Sequence, residues 1–173
     1  MSDAYLTPLV TYGRTIDCPE SGDIYAPFIG EWDCDWVEGM GTYEERHVRG
    51  EWLFSWMDEG KAVQDIFICP SRKEREKTGF SEAEYGTTIR QYDAVSDKWF
   101  FTFMQRGVTY EFEVDHDPQG GLIQNMINHR HYNMIWRITD ITADSFKWSN
   151  NISKDNGETW RTLAEMLVTR RTS

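Results

Sequence analysis

The sequence predicts an all-β chain, folded as one antiparallel up-and-down barrel of about ten strands. Three observations lead there. Apolar and polar residues alternate with a period of two in run after run. Turn-forming residues separate those runs at short intervals. The aromatic share is 14%, with 8 Trp, 8 Tyr and 9 Phe, large side chains that favour strands and carry much of the burial energy. No helix-length amphipathic stretch interrupts the pattern. Closing such a sheet removes its open edges, while a two-sheet sandwich satisfies the same alternation.

The elements follow in order. Residues 1–27 form an irregular arm of scattered prolines and glycines, with room for one short helix closing a barrel end. Residues 28–173 form the barrel domain. Gly30 to Val37 is a first strand, with Trp32, Cys34 and Trp36 on one face and Glu31, Asp33 and Asp35 on the other. Glu44 to Met57 is a long second strand, in which Val48, Gly50, Trp52, Phe54 and Trp56 share a face. Asp58-Glu59-Gly60 turns the chain into Lys61 to Cys69. Pro70 to Tyr85 carries the mixed-charge run Ser71 to Lys77, a solvated loop or one helical turn, or else a lid over the barrel mouth. Strand patterns resume at Gly86 to Tyr92, Lys98 to Gln105, Val108 to Asp115, Leu122 to Arg130, Asn133 to Ile141, Ser145 to Ser153 and Thr159 to Arg170.

Length and charge exclude several classes of function. The 173 residues suit one domain. The net charge of −11 repels phosphate backbones and anionic bilayers, so neither nucleic acid nor membrane is an expected partner. There is no basic region followed by an apolar run at the N-terminus, and no stretch approaches a transmembrane span. Cys18, Cys34 and Cys69 are widely spaced and odd in number, which fits neither a disulfide framework nor a zinc motif and makes a reducing cytoplasm the expected home.

Two motifs carry structural content. Gly30-Glu31-Trp32 opens the first strand and resembles the Gly-x-Trp signature of lipocalins and related calycins. In that family the tryptophan plugs one barrel end and a late-strand arginine packs on its ring, which implies the same for Trp32 with Arg170 or Arg171. The wider chain, from Phe28 to about Arg170, is similar to a bacterial family of lipocalin-like barrels with no settled activity. The likeness rests on Gly30-Glu31-Trp32, Gly60 to Asp65, Thr88 to Asp93, Trp136-Arg137 and Asp144 to Trp148. Related heme-binding barrels carry Gly-x-Trp-x-Gly; Cys34 stands at the second glycine here, so heme is not implied, and no other cofactor is. The second motif, Ser153-Lys154-Asp155-Asn156-Gly157-Glu158-Thr159-Trp160, matches the Asp box of sialidase propellers at every fixed position. It predicts a hairpin in which Asp155 satisfies turn amides, Gly157 takes positive φ and Trp160 anchors the return strand.

Other residues are candidates for chemistry. In a strand, His129 and His131 share a face, a spacing that metal sites use, yet no third ligand follows in sequence; His47, His116 or Asp65 would have to arrive through the tertiary fold. No metal is therefore assigned. Asp65, Arg90, Tyr92, Gln124, Arg137 and Asn150 stand on strands that bury a face, and buried polar groups need partners. Asp65 can pair with Arg90 or Arg137, or these groups can orient a ligand. The expected ligand site is a cavity walled by Trp52, Phe54 and Trp56 and lined by Asp65, Arg90, Tyr92, Arg137 and Asn150. The two arginines would favour a small hydrophobic or aromatic anion. An alternative is a cofactor-independent enzyme, an isomerase, cyclase, dehydratase or hydrolase, drawing its acids and bases from Asp65, Arg90, Tyr92, His129, His131 and Arg137. A structural or interaction protein is the third class. Phe100 and Phe101 point to opposite faces, so one turns outward and is a candidate homodimer contact.

Overall fold

A computed structural model describes the chain except for residues 1–3, 5, 6, 10, 17, 21, 22, 80–83, 130 and 173. Ten antiparallel strands close into a barrel: β1 (Gly30–Glu38), β2 (Arg46–Met57), β3 (Ala62–Cys69), β4 (Glu84–Asp93), β5 (Lys98–Gln105), β6 (Val108–His116), β7 (Leu122–Met126), β8 (Asn133–Thr139), β9 (Ser145–Ser153) and β10 (Arg161–Arg170). Each strand pairs with its sequence neighbours, and β10 pairs with β1 to shut the cylinder, Trp32 standing opposite Arg170. The sandwich alternative is thereby excluded.

Alternation decides the interior. On β1, Trp32, Cys34 and Trp36 are buried while Glu31, Asp33 and Asp35 are exposed. On β2, Gly50, Trp52, Phe54 and Trp56 point inward. One end of the barrel is packed solid. Tyr25, in the arm, is fully buried and meets Trp99 edge to face at 4.9 Å. Phe28, at the end of the 3-10 turn Ala26–Phe28, meets Phe146 at 5.0 Å, and Phe146 meets Trp32 at 4.9 Å.

Trp32 lies at that end, 1% exposed, its indole Nε1 donating to the Phe28 carbonyl at 2.6 Å. The Arg170 guanidinium sits 4.0 Å above the ring and donates to the carbonyls of Pro27, Ile29 and Ala143. One side chain thus ties the last strand, the arm and the β8–β9 turn together. Gly30 is needed beneath it: at φ 130° a Cβ would lie 2.8 Å from Arg170 Nη1. Arg171 turns outward instead, to Glu31, Asp33 and Glu51.

The β9–β10 hairpin is ordered by its own side chains. Asp155 accepts from the Thr159 amide at 2.9 Å, the Thr159 hydroxyl at 2.5 Å and the Ser153 hydroxyl at 2.7 Å. Gly157 has φ 93°, and its carbonyl accepts from Trp160 Nε1. These contacts hold the Asp155 carboxyl at a pKa of about 2. Trp160 remains 42% exposed.

The Pro70–Tyr85 connection contains one short helix, α1 (Arg72–Thr78), capped by Ser71. It docks on the outside of β2. The buried Glu51 carboxylate accepts from the Arg72 amide and from its guanidinium at 2.8 and 3.0 Å. Of the Pro70–Tyr85 connection, expected as a loop, a helical turn or a lid, residues 80–83 lie outside the described residues. Five expected strands come out shorter. β2 begins at Arg46 rather than Glu44, β3 begins at Ala62 rather than Lys61, and β8 ends at Thr139 rather than Ile141. β7 ends at Met126 rather than at residue 130, so His129 and His131 stand in the β7–β8 loop; β10 begins at Arg161, since the hairpin turn takes up Thr159 and Trp160.

Candidate functional site

The other half of the barrel is hollow. A cavity of about 780 Å³ opens at the end carrying the β1–β2, β3–β4, β5–β6, β7–β8 and β9–β10 connections. Its aromatic wall is Trp36, Trp52, Phe67, Phe103, Tyr110, Tyr132, Trp136 and Trp148, filled out by Met134, Ile152, Leu163, Ala164 and Met166. The polar lining is Glu38, Glu44, Arg46, Asp65, Glu84, Thr88, Gln105 and Asn150. A volume of this size with a few polar groups suits a drug-sized ligand.

Of the expected ligand-binding residues, Trp52, Asp65 and Asn150 line this cavity. Phe54 and Trp56 lie deeper on β2, inside the packed end, with Phe54 4.9 Å from Trp52. Arg90 lies beneath the floor, 1% exposed, its Nη2 2.5 Å from Asp65 Oδ2. Three rings surround its guanidinium: Phe101 at 4.5 Å, Tyr25 at 4.8 Å and Phe54 at 5.7 Å. Burial works against the Arg90 charge, but the Asp65 carboxylate outweighs it and raises the pKa. Asp65 also accepts from Trp52 Nε1 at 2.7 Å, so the buried pair fixes a ring of the cavity floor.

The remaining candidates are elsewhere. Tyr92 is half-buried at the closed end, where its hydroxyl donates to Asp97. Arg137 does not reach the interior. Trp136 and Ile138 take the inward positions of β8, so Arg137 faces out and pairs with Asp117. Alternation on β8 sets Met134, Trp136 and Ile138 on one face and Asn133, Ile135, Arg137 and Thr139 on the other, so the outward place of Arg137 could have been read from the sequence. His129 stacks on Tyr132 at 3.9 Å, and its Nδ1 accepts from the His131 amide at 3.3 Å. Among the described residues no three His, Cys, Asp or Glu side chains gather as a metal site. With Arg90 engaged by Asp65 and Arg137 outside, neither arginine is placed to select an anion.

The wall has features that the sequence did not single out. Trp36, Trp136 and Trp148 are each more than nine-tenths buried, and their indole Nε1 atoms have no hydrogen-bond partner. Neither do Asn150 Oδ1 and Gln105 Oε1. Trp136 stands directly opposite Asn150 in the β8–β9 ladder, with Trp148 two residues before it. Tyr110 and Tyr132 face each other across the mouth with their hydroxyls 3.5 Å apart, and burial followed by that contact pushes the Tyr110 phenol up to about 12. Alternation places Trp36 and Trp148 inside, but it carries no information on which inward positions are filled and which are open.

The closed ten-stranded barrel, plugged at one end and hollow at the other, is a lipocalin-like architecture. No family model matches the sequence, and no curated protein matches it. Among solved structures the chain is similar to the S-type phycobiliprotein lyase CPES from Guillardia theta, with a TM-score of 0.57 at 12% identity. The match covers 91% of this chain and 96% of that one. At that identity the likeness concerns the fold.

Proposed function

We propose that the chain is a small-molecule-binding barrel that holds a flat hydrophobic or aromatic ligand in the open half. One observation carries this: buried indole N–H groups of Trp36, Trp136 and Trp148 that the protein leaves unpartnered around a cavity of about 780 Å³. An unmet buried donor costs about 1–3 kcal/mol, and a ligand bearing acceptor atoms relieves it. The aromatic faces supply affinity through buried area and stacking. The lipocalin-like fold, shared with a phycobiliprotein lyase, supports the same use of the interior. The acid–base alternative draws less support, because Asp65 and Arg90 are paired with each other and both histidines stand in a loop.

Filling the cavity tests the proposal. Ala164 is buried on β10 and lines the wall. Ala164→Phe should abolish tryptophan quenching by flat aromatic probes such as 2-naphthylmethanol while the thermal melt stays cooperative. Unchanged quenching in the filled variant, or none in the native protein, would overturn the proposal.

A further inference from the structure

The charge of the cavity mouth sets the sign of the ligand. The lining holds four carboxylates, Glu38, Glu44, Asp65 and Glu84, against one guanidinium, Arg46. Asp65 is taken by Arg90, and Arg46 donates to Glu38 at 2.5 Å. Glu44 and Glu84 have no ion-pair partner among the described residues. Glu84 shares the inward face of β4 with Gly86, Thr88 and Arg90, which sets its half-buried carboxylate at the rim. Burial, and then repulsion from Glu38, pushes its pKa up, the mark of a negative charge lacking compensation.

We propose that the cavity selects a flat aromatic ligand bearing a positively charged nitrogen, with the nitrogen at the mouth beside Glu84 and the ring system against the tryptophans below. This rests on the small-molecule reading and deepens it. The mouth-side rings Trp36, Phe103 and Tyr110 offer π faces to a cation. The Trp36 face already holds one, the Arg46 guanidinium 6.0 Å from the ring centroid. The orphan indoles of Trp136 and Trp148 mark, independently of charge, where the occupant's acceptor atoms belong. A carbonyl, ether or ring nitrogen satisfies them without adding the negative charge that the rim repels. The net charge of −11 adds a field that draws cations to the surface.

Three probes with one skeleton test this: 2-naphthylmethylammonium, 2-naphthylmethanol and 2-naphthoate, each titrated at neutral pH by tryptophan quenching. The ammonium should bind about tenfold or more tightly than the carboxylate, with the alcohol between them. Glu84→Gln should weaken the ammonium about 3- to 10-fold and the alcohol by clearly less, and Glu84→Lys should reverse the order of the charged pair. Far-UV circular dichroism and a thermal melt check the fold of each variant. Should Glu84 variants fail to fold, salt decides in the native protein: affinity for the ammonium falls with ionic strength and that for the alcohol holds. A carboxylate bound as tightly as the ammonium, equal loss of all three probes in Glu84→Gln, or an ammonium affinity indifferent to salt would overturn the cation preference while leaving the binding barrel standing. Silence with all three probes overturns both.

Discussion

Replacing Arg90 by Met should cost about 3–5 kcal/mol of folding stability, because it leaves the fully buried Asp65 carboxylate without its counter-charge. Methionine keeps the packing against Tyr25, Phe54 and Phe101, so the loss reports charge rather than volume. Asp65→Asn should cost a similar amount, for it strands Arg90 while its amide oxygen still accepts from Trp52. The double variant removes both charges and should cost less than either single change, giving a coupling of more than about 3 kcal/mol. Equilibrium urea unfolding, followed by tryptophan fluorescence and circular dichroism together, measures each value. Losses that add to within about 0.5 kcal/mol would refute the reasoning, since groups in contact at 2.5 Å cannot then be the pair that matters.

Three other outcomes are expected. Trp32→Ala should lower stability by about 3–5 kcal/mol in the same assay, the usual cost for a buried large aromatic. Asp155 has a folded-state pKa depressed from 3.8 to about 2, so its contribution is present above pH 3.8 and is lost as pH falls toward 2. Asp155→Ala should accordingly lower the melting temperature at neutral pH, flatten the acid dependence in that window and leave probe binding unchanged. Cys18, Cys34 and Cys69 are buried, and burial raises all three thiols, Cys69 to about 12. None should react with Ellman's reagent at pH 8 in the native protein, and all three should react once it is unfolded.

The barrel was legible because period-two alternation is a local signal. Val108, Tyr110, Phe112 and Val114 alternate with polar neighbours, and β6 places Phe112 and Val114 in the core as that pattern requires. Strand ends were less legible. The β7 pattern runs on past Met126 in sequence, yet the Asn128 side chain accepts from the Glu111 amide and the chain leaves the ladder. The candidate site was legible only in part. Trp52, Asp65 and Asn150 were found because polar and aromatic residues share their strand faces, whereas Arg137 was misplaced although it shares the mostly polar face of β8 with Asn133, Ile135 and Thr139.

By itself, the sequence determined the strand number, the inward faces of most strands, the Gly30–Trp32 opening and the Asp155 hairpin, all features set by neighbours a few residues apart. Only the tertiary structure decided which inward positions are solid and which are hollow. That depth depends on strand stagger, on Tyr25 and Phe28 filling one end, and on Arg90 finding Asp65 across the β3–β4 pair. These contacts join residues far apart in the chain, and no local period encodes how far along the barrel axis a side chain will sit.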